Sequence, residues 1–172
     1  DAARGCRIEA IAAVACLAVA LDEDDLHVGV TADAPPDLVK GVVVAVSFAA
    51  RAAGVTTMIN SGIDLKTNRK TLELAKKYNF IHATLGLNPN GLGEMTDEEV
   101  TSTLDQIRSH AKEIVGVGEA GLDYYRCPDE KGRDRQRAVF RKVVDLSREL
   151  DLPQVIHARL AEDEAFDMVK DL

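Results

Sequence analysis

Tryptophan is absent from these 172 residues, and aromatic side chains are few, with three Tyr and four Phe. The rest of the composition, 46% hydrophobic and 29% charged, is that of an ordinary soluble globular chain. Its length suits one domain-sized unit with a real core. Cysteine is also scarce. Cys6, Cys16 and Cys127 are odd in number and widely spaced. That excludes a disulfide framework and a metal-knuckle pattern, and reduced thiols in a cytoplasmic setting are the simplest expectation. An excess of basic residues is missing too: 21 Lys and Arg stand against 29 Asp and Glu, a net charge of −8. Such a chain repels duplex DNA at long range, which excludes nonspecific coating of nucleic acid but leaves room for a local phosphate site.

Long hydrophobic runs are lacking. Ala10 to Leu21 (AIAAVACLAVAL) is apolar and follows Arg4 and Arg7, but it is too short to span a bilayer, and no membrane association is expected. With Ala18-Val19-Ala20 behind it, the run has the outline of a secretory signal. The chain begins with Asp1 rather than Met, and a buried Ala-rich helix is the reading preferred. No linker, low-complexity tract or sequence repeat is present.

What is there is an alternation of short β-branched runs with amphipathic helices. From Val55 onward the pattern predicts a strand over 55–60, a helix over 64–78 with Asn68, Leu72 and Ala75 on one row, and a strand over 80–85 followed by a loop from Gly86 to Gly93. Thr96 and Glu99 have the spacing of a capping box. Val100, Leu104, Ile107 and Ala111 then form one apolar stripe. A strand over 114–117, a helix over 132–150 with Val139, Val143, Leu146 and Leu150 inward, a strand over 154–157 and a last helix from Ala161 complete the pattern. Before Val55, Leu26 to Thr31 reads as a strand and Leu38 to Ala53 as a helix ended by Gly54. Repeated βα units with buried parallel strands and short connections follow. Residues 1–53 form a weakly assigned N-terminal segment, with the Ala-rich helix and a first βα unit, and residues 54–172 the main body.

Within that frame one stretch stands out. E-I-V-G-V-G-E-A-G-L-D-Y-Y-R, residues 113 to 126, carries Glu119 between Gly118 and Gly121 after the run Ile114 to Val117. A lone carboxylate in apolar surroundings needs a partner. A metal cation or bound cationic group is one, an Arg across a loop another. The C-terminal ends of strands are where α/β sheets and barrels place their chemistry.

Four blocks in order, GVTTMINSGIDLKTNRKTLELAKKY, ATLGLNPN, VGVGEAGLDYYR and LPQVIHAR, cover Gly54 to Arg159. They resemble the TatD family of metal-dependent hydrolases. The resemblance implies an α/β fold, with these units as about the first five strands of a TIM (β/α)8 barrel, incomplete in this chain. It implies a one- or two-metal centre at the C-terminal mouth and hydrolysis of DNA phosphodiester bonds. The family's metal ligands are an H-x-H pair after the first strand, then Glu, His, His and Asp after the fourth, fifth, sixth and eighth. Glu119 matches the fourth-strand Glu and His157 the fifth-strand His. Mixed His and carboxylate ligation suits a divalent Zn, Mn or Mg ion, which would activate water with no nucleophilic side chain.

The departures are specific. Asp25-Leu26-His27-Val28-Gly29 is the nearest counterpart of the H-x-H pair, with Gly29 in place of the second His. His27 is thus a candidate ligand, against the alternative of a surface or packed histidine. The family's G-I-H-P-H block is here Gly86-Leu87-Asn88-Pro89-Asn90, and an amide is a poor transition-metal ligand. Asn88 and Asn90 are carried as substrate-binding candidates, together with Arg126 and Arg159, which could hold a phosphate. For both arginines, pairing with a loop Asp is the structural alternative. Arg133, Arg137 and Arg141 are expected on a solvated outer face, His82 and His110 in structural roles, and Cys127 as a thiol without catalytic function.

Eight βα units need roughly 200 residues or more. A fragment or truncated form is therefore expected, with open sheet edges that could pair with a second copy. The leading expectation is a TatD-type hydrolase of DNA or a small phosphoester, its activity as this chain in question. The rivals are a non-catalytic partial barrel serving binding or assembly, and an amidohydrolase-type enzyme on a small substrate.

Overall fold

The protein was analysed as a computed structural model that describes residues 50–170. His27, the apolar run 10–21 and the strand expected over 26–31 lie outside the described residues, as does most of the helix expected over 38–53. The end of that helix is described: Gly54 has φ of 96°, and its N–H donates to the Arg51 carbonyl at 3.0 Å. The chain divides into two compact units between Met58 and Ile59. The account below concerns the second.

Four βα pairs follow one another: β1 (Met58–Ser61) and α1 (Leu65–Lys77), β2 (Ile81–Leu87) and α2 (Asp97–Ser109), β3 (Gly116–Asp123) and α3 (Glu130–Leu150), β4 (Gln154–Arg159) and α4 (Glu162–Val169). The strands pair in sequential order, β1-β2-β3-β4, all parallel, in a curled half-barrel. The incomplete barrel expected from the sequence is therefore the architecture observed. Among the described residues no helix is long and apolar enough to cross a membrane.

Local chemistry fixes the starts of α1 and α2 where the sequence placed them. Asp64 caps α1, accepting from the Thr67 N–H at 2.6 Å while the Thr67 hydroxyl accepts from the Asp64 N–H. Thr96 and Glu99 form the reciprocal capping box of α2. Asp129 caps α3 by accepting from the Gly132 N–H, so this helix starts two residues earlier than predicted. The predicted stripes are the buried faces. Val100 and Ile107 of α2 and Val139, Phe140, Val143 and Leu146 of α3 pack on Ala83, Leu85, Leu87, Val117, Ala120 and Leu122 of the two central strands.

β3 departs from expectation. It does not stop at Val117 but runs from Gly116 to Asp123, so Glu119 lies inside the strand rather than at its end. The glycines that look like terminators in the sequence are what let the strand continue. Gly118 has φ of 134° and Gly121 φ of 155°. A Cβ on Gly121 would meet the His157 carbonyl oxygen at 1.9 Å, and one on Gly118 the Val155 carbonyl oxygen at 2.3 Å. Only glycine accepts both the backbone angle and the approach of β4. The pairing of β3 with β4 shifts between Val117 and Ala120, then runs regularly, with Gly121 opposite His157 and Asp123 opposite Arg159.

Asn68 on α1 joins helix to sheet. Its side chain is fully buried, its Nδ2 donates to the Gly86 carbonyl at 3.2 Å, and its Oδ1 accepts from the Gly86 N–H at 3.1 Å. These bonds satisfy β2 where its register against β3 shifts, between Leu85 and Leu87. Asn68→Ala should leave both Gly86 groups buried without a partner, at a cost of about 1–3 kcal/mol for each. The midpoint of urea unfolding measures it; a midpoint unchanged from wild type would show that water replaces the amide.

Candidate metal centre

Asn88 just after β2, Glu119 and Asp123 of β3 and His157 of β4 come together. The imidazole lies between the two carboxylates: His157 Nδ1 is 3.3 Å from Glu119 Oε1, and Nε2 is 3.1 Å from Asp123 Oδ2. The register of β3 on β4 makes this possible, since Gly121, between the two acids in sequence, pairs with His157 itself. Glu119 and Asp123 are four residues apart on one strand and so share a face.

Each acid is held from behind. Asn88, just after β2, donates from Nδ2 to Glu119 Oε1 at 2.6 Å, while its Oδ1 accepts from the Asn90 N–H at 2.9 Å. Asp123 is fully buried, and its Oδ1 accepts from the Arg126 N–H at 2.9 Å. Its backbone is clamped by Gln136 of α3, whose Oε1 accepts from the Asp123 N–H at 2.8 Å and whose Nε2 donates to the Asp123 carbonyl at 3.3 Å.

Of the residues singled out in the sequence, Glu119, His157 and Asn88 meet. Asn90 is exposed and joins through its backbone N–H. Arg126 is exposed, and its bond into the cluster also comes from the backbone. Arg159 stacks on the Tyr125 ring with its guanidinium carbon 4.0 Å from the centroid. The arginine stripe of α3 is a correction. Arg141 is exposed, but Arg133 lies 4.6 Å over the Tyr124 ring, and Arg137 bonds Tyr124 Oη, Asp134 and Glu130. Tyr124 in turn donates to Glu164 at 2.7 Å. The stripe therefore braces the loop after β3, because Tyr124 offers it an aromatic face and a hydroxyl. His82 lies half-buried within β2 and His110 caps α2, its Nδ1 2.9 Å from the Gln106 carbonyl. The Cys127 thiol is pushed up by burial and by the Asp129 carboxylate.

Sequence reasoning missed Asp123 as a partner of His157 and Gln136 altogether. Two signals were available. Glu119, Gly121 and Asp123 keep the period of a strand, and Gln136 is a polar residue in register with the apolar stripe of Val139, Phe140 and Val143.

The donor set bears on whether a metal fits. A carboxylate buried against Nε2 requires the ring proton there. In the neutral imidazole, Nδ1 then turns a lone pair toward the Glu119 oxygen. Two acceptors at 3.3 Å need positive charge between them, a proton or a cation. Bonds of about 2.0–2.2 Å to one cation hold neighbouring donors roughly 3 Å apart. The Glu119–His157 pair fits that requirement. Asp123 serves the far side of the ring instead, and among the described residues no three His, Cys, Asp or Glu side chains form a group that could hold a metal ion. Glu119 and His157 are thus two candidate ligands. A depression of about 320 Å³ near Leu72, His82 and Val115 is lined by none of these residues.

A curled parallel βα sheet with polar side chains gathered at its strand ends is the architecture of the (β/α)-barrel enzymes. The model of the TatD related DNase family matches residues 25–172, and the chain belongs to that family. It is 33% identical over 122 residues to a Bacillus subtilis protein named uncharacterized metal-dependent hydrolase YabD, covering 71% of this chain and 46% of that one. It is 33% identical over 115 residues to the 3'-5' ssDNA/RNA exonuclease TatD of Cronobacter sakazakii, covering 64% of this chain and 40% of that protein. The crystal structure of YjjV, a TatD homologue from Escherichia coli, superposes with a TM-score of 0.65 at 26% identity, covering 80% of this chain and 52% of that one. The chain spans about half the length of the relatives it matches.

Without metal, a proton on Nδ1 is the group that would place positive charge beside Glu119. The hydrogen bond from Glu119 raises the His157 pKa first, burial opposes it, and Asp123 adds to the rise. A histidine pKa raised on folding stabilises the native state fully below its unfolded value of about 6.5 and loses that effect as pH rises through the folded value. Metal-free protein should therefore lose unfolding free energy above about pH 6.5, and His157→Gln should flatten that part of the profile. Urea unfolding across this range tests it; parallel profiles for the two proteins would show that His157 carries no such charge.

Proposed function

We propose that this chain carries part of the metal site of a TatD-type hydrolase acting on phosphodiester bonds, with Glu119 and His157 as two ligands of a divalent Zn, Mn or Mg ion. The observation that carries this reading is the 3.3 Å approach of His157 Nδ1 to Glu119 Oε1. A divalent cation would supply electrophilic charge to a phosphodiester and make water a competent nucleophile near neutral pH.

The chain's own residues orient the parts. Asn88 fixes the Glu119 carboxylate by donating to one oxygen, at 2.6 Å, and so directs the remaining lone pairs of the group. Arg126, on the connection after β3, and Arg159, at the end of β4, are candidate cations for steadying a phosphate. The thiols are not used.

The substrate proposed is a nucleic-acid strand end. The Cronobacter relative named as a single-strand exonuclease supports it, and so does the net charge of −8, which disfavours broad binding to duplex. Cleavage of a 5'-labelled single-stranded oligonucleotide with Mg²⁺, Mn²⁺ or Zn²⁺ should be abolished by chelator and fall by about 100-fold or more in Glu119→Gln and His157→Ala. Undiminished cleavage in both variants would remove them from the site. A wild type that binds metal yet cleaves only a small phosphoester would redirect the substrate while leaving the site in place.

A further inference from the structure

We propose that Asp123 is the positioning residue of this centre: it accepts the hydrogen bond of His157 Nε2–H and so turns the Nδ1 lone pair toward the cation that Glu119 shares. The inference rests on the metal reading above and goes beyond it by naming what fixes the ligand's orientation. Asp123 has the geometry for the task and little freedom for another. It is fully buried, and its two oxygens are divided between the Arg126 N–H at 2.9 Å and His157 Nε2 at 3.1 Å. Its backbone is locked by Gln136 through both N–H and carbonyl. It does not approach the cation position, because the ring stands between it and Glu119. Outer carboxylates of this kind fix the tautomer and rotation of a ligating imidazole.

The division of the two oxygens makes Asp123→Asn a sharp probe. The Arg126 N–H holds the amide oxygen in the Oδ1 place, so the amide NH2 is left facing Nε2. Nε2 must then accept, and the ring proton moves to Nδ1, where it points at Glu119 and occupies the direction a cation needs. Shape is kept and the tautomer is inverted.

The test has two arms. Nitrogen-15 NMR of the metal-free full chain, at a pH where the imidazole is neutral, should show His157 as the Nε2–H tautomer in wild type and the Nδ1–H tautomer in Asp123→Asn. Zinc titration against a competing chelator should show affinity falling by about 10–100-fold in Asp123→Asn, with urea unfolding close to wild type. Wild-type His157 found as the Nδ1–H tautomer overturns the proposal, and this measurement requires no variant to fold. So does unchanged zinc affinity in Asp123→Asn when Glu119→Gln weakens it, a result that would leave the metal reading standing. Wild type that binds zinc no better than Glu119→Gln would sink the metal reading and this inference with it.

Discussion

One imidazole held between two carboxylates is the constraint on which the rest of this half-barrel depends. Asp123 is fully buried and Glu119 partly so, a charge in either place calls for a donor, and a single neutral ring has only one N–H to give. The buried acid, Asp123, has the stronger claim on it. Glu119 accepts from the amide of Asn88 and lies 3.3 Å from Nδ1, on the side of the ring opposite Asp123. Under the proposed function the space beside Nδ1 takes a cation. A proton fills it at low pH, and a divalent ion fills it over a wider range while competing with that proton.

The backbone around the ring serves this placement. Glu119 and Asp123 flank the ring because β3 continues past two glycines that bring it against β4, at Val155 and at His157. Asn68 performs a related task one strand away, closing the hydrogen bonds of β2 at Gly86, where the register with β3 shifts. Gln136 secures the strand end from the helix side and ties the Asp123 backbone to α3, whose apolar face fills the core. Site geometry and core packing are thus one structure. A change at Gln136 reaches His157 through Asp123, whose backbone Gln136 holds and whose side chain meets the ring.

The helices and their caps were legible in the sequence because the signals are local: Thr96 with Glu99, and the stripe Val139, Val143 and Leu146, need no knowledge of the remainder of the chain. The order of βα units was legible for the same reason. The ends of β3 were not. Glycine reads as a terminator unless one knows that another strand's carbonyl lies under 2.5 Å from where its Cβ would be, and that is a tertiary fact. Losing the last half of β3 hid the pairing of Asp123 with His157, because an acid assigned to a loop has no fixed face. The arginines of α3 were misjudged by a similar route, since helical periodicity places Arg133 and Arg137 away from the core but cannot show that Tyr124 folds over to meet them.

The departure at Asn88 acquires a physical meaning from the charge at the strand ends. A histidine there, as in the G-I-H-P-H block, could bring a positive charge beside Glu119. The asparagine brings only a dipole, and it is committed on both sides, to Glu119 and to the Asn90 N–H. Two acids and a single imidazole then leave the described cluster short of positive charge. Under the proposed function, a phosphodiester would approach a chain of net charge −8 with the cation and the nearby arginines as its main attraction. Arg159 is already stacked on Tyr125, which restricts its rotamers and so lowers the entropy it would lose on holding a phosphate. The metal in such a site would do more than activate water. It would also reverse the local sign of the field, and an anionic substrate would be recruited by the loaded site and repelled by the empty one.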